Sequence, residues 1–295
     1  MTRRRLILVA VPSLVFLVCG LTLGQFMGRG YGRSPQEGIP SDRSGVPDWK
    51  QDEHFPKDVF TFVRVQYDDA FGGYGRGRRG GGYGGGKWTT DWPDSDLNFS
   101  YRLQQLTALK VNPTPISLRL TDEALFDHPF LYMIEPGYIS LSEEEVVALR
   151  KYLLNGGFLM VDDFWGDREY ETLARELKRV FPDREPQELP LTHEIFQCVY
   201  RLKERPQVPS IHTFEMSGYD PSVTWEYSRD GSDTRNVHYR GISDDKNRLM
   251  VIICHNTDLG DGWEREGEDP RYFQEFSEKK AYPMGINIVT YAMTH

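Results

Sequence analysis

Residues 156–166, GGFLMVDDFWG, decide the fold. The apolar run 158–161 is too short for a helix and is rich in strand-forming residues, so it predicts a buried strand with Asp162 and Asp163 at its C-terminal edge. In an open α/β sheet, ligands bind in the crevice outside the carboxyl ends of the strands. The acidic pair therefore marks a candidate site as well as a strand end.

Working outward, residues 142–155 carry strong helix signals. Ser142 and Glu145 form a capping box, Leu141 and Val146 a hydrophobic staple across it, and Gly156-Gly157 a left-handed C-cap, with Val146, Leu149 and Leu153 facing inward. On the other side, residues 167–181 predict a second amphipathic helix through Tyr170, Leu173, Ala174, Leu177, Val180 and Phe181, with Lys178 and Arg179 late and Pro182 as its stop. Helix, strand, acidic turn, helix is a βαβ-type arrangement with right-handed crossovers. Further strands are expected over 59–67, 116–120, 130–134 and 248–254, a closing helix over 281–294, and short strands and turns over 186–246. The expected class is α/β, a mostly parallel sheet flanked by helices.

The 295 residues suffice for a sizeable core. Net charge is −9, yet residues 1–33 hold five arginines and no acid, so the remainder is strongly acidic. That balance argues against a nucleic-acid partner. Arg3, Arg4 and Arg5 (residues 1–5) precede an uncharged run over 6–24, about the length of the roughly 20 residues that span a bilayer. A transmembrane anchor or signal peptide is expected, with the main domain exported in either case and the membrane as a partner. Residues 25–57 predict a disordered linker before an α/β domain over 58–295. Within it, 72–86 is a glycine- and arginine-rich loop whose G-x-G-x-x-G match follows from composition, so it predicts a lid or insertion and not a dinucleotide turn.

Three polar turns follow three predicted strands or loops on what should be one edge. They are WTTDWPDSDLNF (88–99), with Asp91, Trp92, Asp94, Asp96 and Asn98; DDFW (162–165), with Asp162, Asp163 and Trp165; and HNTDLGDGWE (255–264), with His255, Asn256, Asp258 and Asp261. Each has a plain reading too. Pro93 fits the first turn of a helix that Asp91 or a neighbour caps, Asp162-Asp163 fits a turn and helix cap, and His255 fits a satisfied core histidine. Together they form a candidate binding set, hard or borderline ligands suited to a divalent metal, although no spacing is that of an EF-hand or a zincin. Neither Cys198 nor Cys254 stands in a nucleophile elbow; two buried thiols are expected.

TDWPDSDLNF, LSEEEVVALRKYLLNGGFLMVDDFWG, LTHEIF, HNTDLGDGWE and AYPMGINIVTYAMTH together resemble the bacterial domain of unknown function 4159 family, over about residues 58–295. The resemblance implies a class I glutamine amidotransferase-like, flavodoxin-like fold. In amidotransferases a cysteine follows the central strand; here Asp162-Asp163 occupies the comparable turn, which removes thiol-based glutamine hydrolysis. The expectation is an exported, membrane-tethered ligand-binding or scaffolding module with a protein or envelope-polymer partner. The alternative is a metal-assisted hydrolase of a cell-envelope glycan or other polyanion, using Asp162, Asp163, Asp91, Asp94 and His255.

Overall fold

The computed structural model describes residues 39–51, 54, 58–69, 86–227 and 233–295. The apolar run 6–24 and all of the glycine- and arginine-rich loop except Gly86 lie outside the described residues. Among the described residues no helix is long and apolar enough to cross a membrane.

Among the described residues, a seven-stranded sheet runs in the order β2-β1-β3-β4-β7-β6-β5. Its strands are β1 (Val63–Gln66), β2 (Ile116–Arg119), β3 (Phe130–Ile134), β4 (Phe158–Asp162), β5 (Gln187–Glu188), β6 (His238–Ser243) and β7 (Leu249–His255). The pairs β2/β1, β1/β3, β3/β4 and β4/β7 are parallel, whereas β7/β6 and β6/β5 are antiparallel. The quoted stretch is thus the middle strand of the sheet, and its five residues are all buried.

Helices cover both faces. Alternate strand residues (Tyr132, Met160, Ile252), with Phe62 just before β1, pack with Phe99 and Leu103 of α1 (Asp94–Leu106), Ile211 and Phe214 of α4 (Ile211–Met216), Trp263 of α5 (Leu259–Glu264) and Ile288 of α7 (Tyr282–Thr294). The intervening ones (Val63, Leu131, Val161, Val251) pack with Leu149 of α2 (Glu143–Leu154) and Leu173 and Leu177 of α3 (Gly166–Val180). Strands covered on both sides must be apolar throughout, which is why β3, β4 and β7 carry unbroken hydrophobic runs.

The capping box of α2 is present in full, with Ser142 accepting from the Glu145 N–H and Glu145 from the Ser142 N–H. Gly156 has φ +105°, and a Cβ on Gly157 would fall 2.3 Å from the Tyr152 ring, so the two glycines serve different needs. The first supplies a left-handed cap, the second close packing.

Three expectations need correction. The first strand is shorter than 59–67, because Phe60 only bridges Val111 before the ladder begins at Val63. The linker is not wholly loose: Trp49 donates its indole N–H to the Val111 carbonyl at 2.8 Å and packs against Tyr101, and Arg43 donates to the Pro113 carbonyl at 2.6 Å. One tryptophan seated on α1 orders a segment whose composition is otherwise that of a tether. The closing helix also starts earlier, running through α6 (Pro270–Tyr272) and a π-type segment Phe273–Ala281 into α7, the charged Glu275, Glu278, Lys279 and Lys280 having masked the apolar face of Phe276 and Ala281.

Candidate functional site

Three adjacent parallel strands end in the same backbone feature. Glu135 after β3, Asp163 after β4 and Asn256 after β7 have φ of 46°, 51° and 61°, and Asp91, in the turn before α1, has φ 61°. Non-glycine residues visit this left-handed region at a cost and cluster where function overrides local preference. Here the turns gather carboxylates at the carboxyl edge of the sheet.

Asp162, the last residue of β4, is fully buried. Its Oδ2 accepts from the Gly260 N–H at 3.0 Å and from the Tyr132 hydroxyl at 3.1 Å, while Oδ1, sealed from solvent, accepts no hydrogen bond among the described residues. Burial is the main force pushing its carboxyl up to about 7, against the pull of those donors. Asp91 as a residue is only half-buried, but its Oδ2 is sealed and likewise accepts nothing among the described residues. It reaches the same place, because a Cβ on Gly260 would stand 2.8 Å from the Tyr132 hydroxyl and 3.0 Å from Asp91 Oδ2. The carboxyl of Asp91 is raised well above the usual range by burial first and then by the charges of Glu264 and Asp261.

α5 brings more acid. Asp258 caps it, accepting from the Asp261 N–H at 2.7 Å, and burial together with Asp163 and Asp261 raises its carboxyl. Asp261 accepts from the Ile211 N–H and from Tyr272 through Oδ2 and from Arg265 Nε, at 3.0 Å, through Oδ1. Arg265 Nε also pairs ionically with Glu264 Oε2 at 2.7 Å, but its one proton points at Asp261, so Glu264 Oε2 accepts no hydrogen bond among the described residues. Burial, then Asp261, pushes Glu264 up to about 8. Burial opposes the charge on Arg265, but Asp261 and Glu264 more than offset it. Asp91, Asp261 and Glu264 each offer an oxygen within 4.8 Å of the other two.

The remaining expected residues have internal duties. His255 is buried and stacks on Phe164 and Tyr170 at 4.9 and 5.2 Å. Its Nε2 contacts the Gly166 carbonyl at 3.1 Å and its Nδ1 the Arg240 guanidinium at 3.0 Å, which assigns the proton to Nε2 and leaves neither nitrogen for a metal. The arrangement matches the core-histidine alternative and not the ligand one. Asn256 accepts from the Gly166 N–H and donates to the Asp233 and Asn236 carbonyls, each at 2.7 Å. Asp163 accepts from the Trp165 indole at 3.1 Å. Trp92 lies 5.8 Å from the Arg64 guanidinium, Asp96 pairs with Arg64, and Asn98 ties α1 to the Trp263 carbonyl of α5. Asp94, in the first turn of α1, adds its charge to Glu264. Asp91 does not cap α1; Pro93 stands at the cap and the Asp91 carboxylate is turned toward α5.

The neutral state of His255 has a measurable consequence. Burial and the neighbouring Arg240 charge lower it from 6.5 to about 3. A depressed imidazole contributes stability that is complete above the unfolded value and is lost as pH falls toward the folded one, at about 1.4 kcal/mol per pH unit. The stability difference between the protein and its His255→Gln variant should therefore shrink steadily from pH 6.5 down toward pH 3. A difference that stays flat over that window would show the imidazole already charged in the fold.

Tyr132, Gly260, Glu264, Arg265 and Arg64 complete the site and were not among the expected binding residues. Glu264 had a weak signal, three positions after Asp261 at helical spacing; a tyrosine and an arginine inside strands had none.

No curated protein matches the chain. The family described as Domain of unknown function (DUF4159) matches residues 61–293, which takes in the strands of the sheet, the described helices α1 to α7 short of the last residue of α7, and every carboxylate of the cluster. The chain belongs to the DUF4159 family.

Proposed function

We propose that the protein is an exported, membrane-tethered binding module on an amidotransferase-like, flavodoxin-like fold without the nucleophilic thiol, and that its ligand brings positive charge to the acidic edge of the sheet. The observation that carries this reading is the pair of sealed carboxylate oxygens, Asp91 Oδ2 and Asp162 Oδ1, that accept no hydrogen bond among the described residues. Leaving a buried polar group unsatisfied costs about 1–3 kcal/mol and more for a charged one, a cost that persists where binding requires it. The thiols support the second half of the reading. Both are free; burial holds the thiol of Cys254 well above its ordinary range and raises that of Cys198, which donates to the Asn287 carbonyl at 3.2 Å. The three arginines ahead of the apolar run 6–24 support the tether and its orientation.

The second reading is a metal-assisted hydrolase of a cell-envelope glycan or other polyanion. It is favoured by the convergence of Asp91, Asp261 and Glu264 and by an Asp162 carboxyl near 7, suited to general acid–base work.

Melting of the full-length protein with spermidine, glucosamine or calcium chloride tests the first reading. At a hundredfold excess over Kd a ligand adds about 2.7 kcal/mol, a rise of about 5 °C or more for a domain of this size. That rise should vanish in Asp162→Asn for the amines. No rise with any of the three probes in the unmodified protein would sink the binding reading, and recovery of the full-length chain in the soluble fraction would sink the tether.

A further inference from the structure

The segment 39–51 does more than cover α1. Where it meets the body it leaves a cavity of about 110 Å³, lined by Trp49, Lys50 and Gln51 from the segment and by Gln104 and Lys110 from the body, with Val59 and Val111 as the apolar wall. Both halves of the lining are held in place. Trp49 donates its indole N–H to the Val111 carbonyl at 2.8 Å, and Arg43 donates to the Pro113 carbonyl at 2.6 Å. Gln104 is fixed as well, because its Oε1 accepts from the Val111 N–H at 2.9 Å.

The chemistry of this lining is opposite to that of the sheet edge. No carboxylate lines the cavity, although the chain carries a net charge of −9. Other lysines find acids: Lys87 pairs with Glu135, Lys178 with Glu185 and Lys279 with Glu275. Lys50 and Lys110 have no such partner among the described residues. Asp48, next to Trp49 in the chain, accepts from the Trp49 N–H at 2.9 Å and takes no part in the lining. With its oxygen engaged, Gln104 has only its NH2 group left to offer, and that group has no acceptor among the described residues. Two ammonium groups and a fixed amide donor around one small space call for an anion. Size narrows the choice, since pockets that enclose a drug-sized ligand run to roughly 300–1,000 Å³. Charge narrows it further: two lysines complement a dianion, and a phosphate group carries about −1.5 to −2 at neutral pH with several strong acceptor oxygens.

We propose that this cavity is a phosphate site, taking inorganic phosphate or the phosphate of a monoester. Lys50 and Lys110 neutralise the anion on stems flexible enough to follow it, and the Gln104 amide donates to one of its oxygens. The site is separate from the acidic edge and does not depend on the ligand proposed there. Because its cations come one from the segment and one from the body, the bound anion also clamps the segment to α1.

The test is calorimetric titration of the full-length protein, in detergent micelles at constant ionic strength, with sodium phosphate and with glycerol 3-phosphate. One phosphate per chain is expected at pH 7.5, and weaker binding at pH 5, where the anion has taken up its second proton while the lysines stay charged. Lys50→Gln and Lys110→Gln should each weaken binding about tenfold, the effect of losing one hydrogen bond to a charged group. Both positions are exposed, so the fold tolerates the change. Lys50→Arg should restore most of the affinity, and Lys246→Gln, an exposed lysine outside the lining, should leave it unchanged. Equal binding of both probes supports the site with an esterified source such as a lipid headgroup; binding of inorganic phosphate alone supports it with the free ion. Absence of binding by both probes at millimolar concentration would overturn the site, as would a Lys246→Gln loss equal to that of Lys50→Gln, the mark of net charge acting without a cavity.

Discussion

Arg64→Met should destabilise the fold by about 3–5 kcal/mol, the usual result of removing one partner from a buried ion pair. Arg64 and Asp96 are both fully buried, and the guanidinium spends nearly all its donors: Nε and Nη2 on Asp96 at 3.1 and 2.5 Å, Nη2 on Ser95 at 2.8 Å, and Nη1 on the Trp88 and Thr90 carbonyls. Methionine replaces the volume but strands the Asp96 carboxylate, left with Ser95 as its neighbouring donor. The double change Arg64→Met with Asp96→Leu should recover most of the loss, because a buried ion pair exchanged whole for apolar groups is often neutral. Chemical unfolding of the two single variants and the double closes the cycle. A single variant within about 1 kcal/mol of the parent protein would mean that the pair is solvated.

Asp162→Asn should have the opposite sign, growing as pH rises from about 4 to about 7. The Asp162 carboxyl is raised from 3.8 to about 7 by burial. A raised carboxyl contributes stability that is complete below the unfolded value and is lost as pH climbs through the folded one, since the native state holds the proton longer. The shift of about 3 units corresponds to about 4 kcal/mol lost between pH 4 and pH 7. Asparagine does not titrate, and its carbonyl oxygen can keep the Gly260 and Tyr132 hydrogen bonds. The variant should match the parent protein near pH 4, gain on it through pH 7 and hold a constant lead above. A variant less stable than the parent at pH 8 would show that the carboxylate has a partner in the fold after all. With the amine-binding test above, the expected pattern is a protein made sturdier and less functional by one atom exchange.

These two residues also show how far local sequence carried. The strand at β4, the capped α2, the stripe of α3 and the buried runs at β3 and β7 all follow from periodicity and cap chemistry within about 20 residues, so they were legible. Arg64 was not, because an arginine in an alternating strand implies a solvent-facing side; here helices cover both faces, and the partner that makes burial tolerable stands 32 positions away. His255 was legible as a strand end and, in one of its two readings, as a satisfied core histidine; its partners were not, since both come from other elements. Convergence of the acidic turns was expected from their place after strands. Their grouping depended on β7 lying against β4, skipping β5 and β6, a matter of strand order that no local pattern encodes. The same order explains why Glu264 and Tyr132 join Asp91 and Asp162, while Asn256 and Asp163 are used up in holding the turns.

The place of β7 in the sheet also governs when the site comes into being. Val251 pairs with Leu159, 92 positions earlier, and α5 follows only after it. A chain emerging N-terminus first exposes Asp91 and Asp162 to water long before Gly260 can cover them, and such long-range parallel pairing is slow. Burial of the carboxylates is therefore a late event. Until then both carboxylates are hydrated, so the raised carboxyl of Asp162 belongs to the finished sheet and not to the emerging chain.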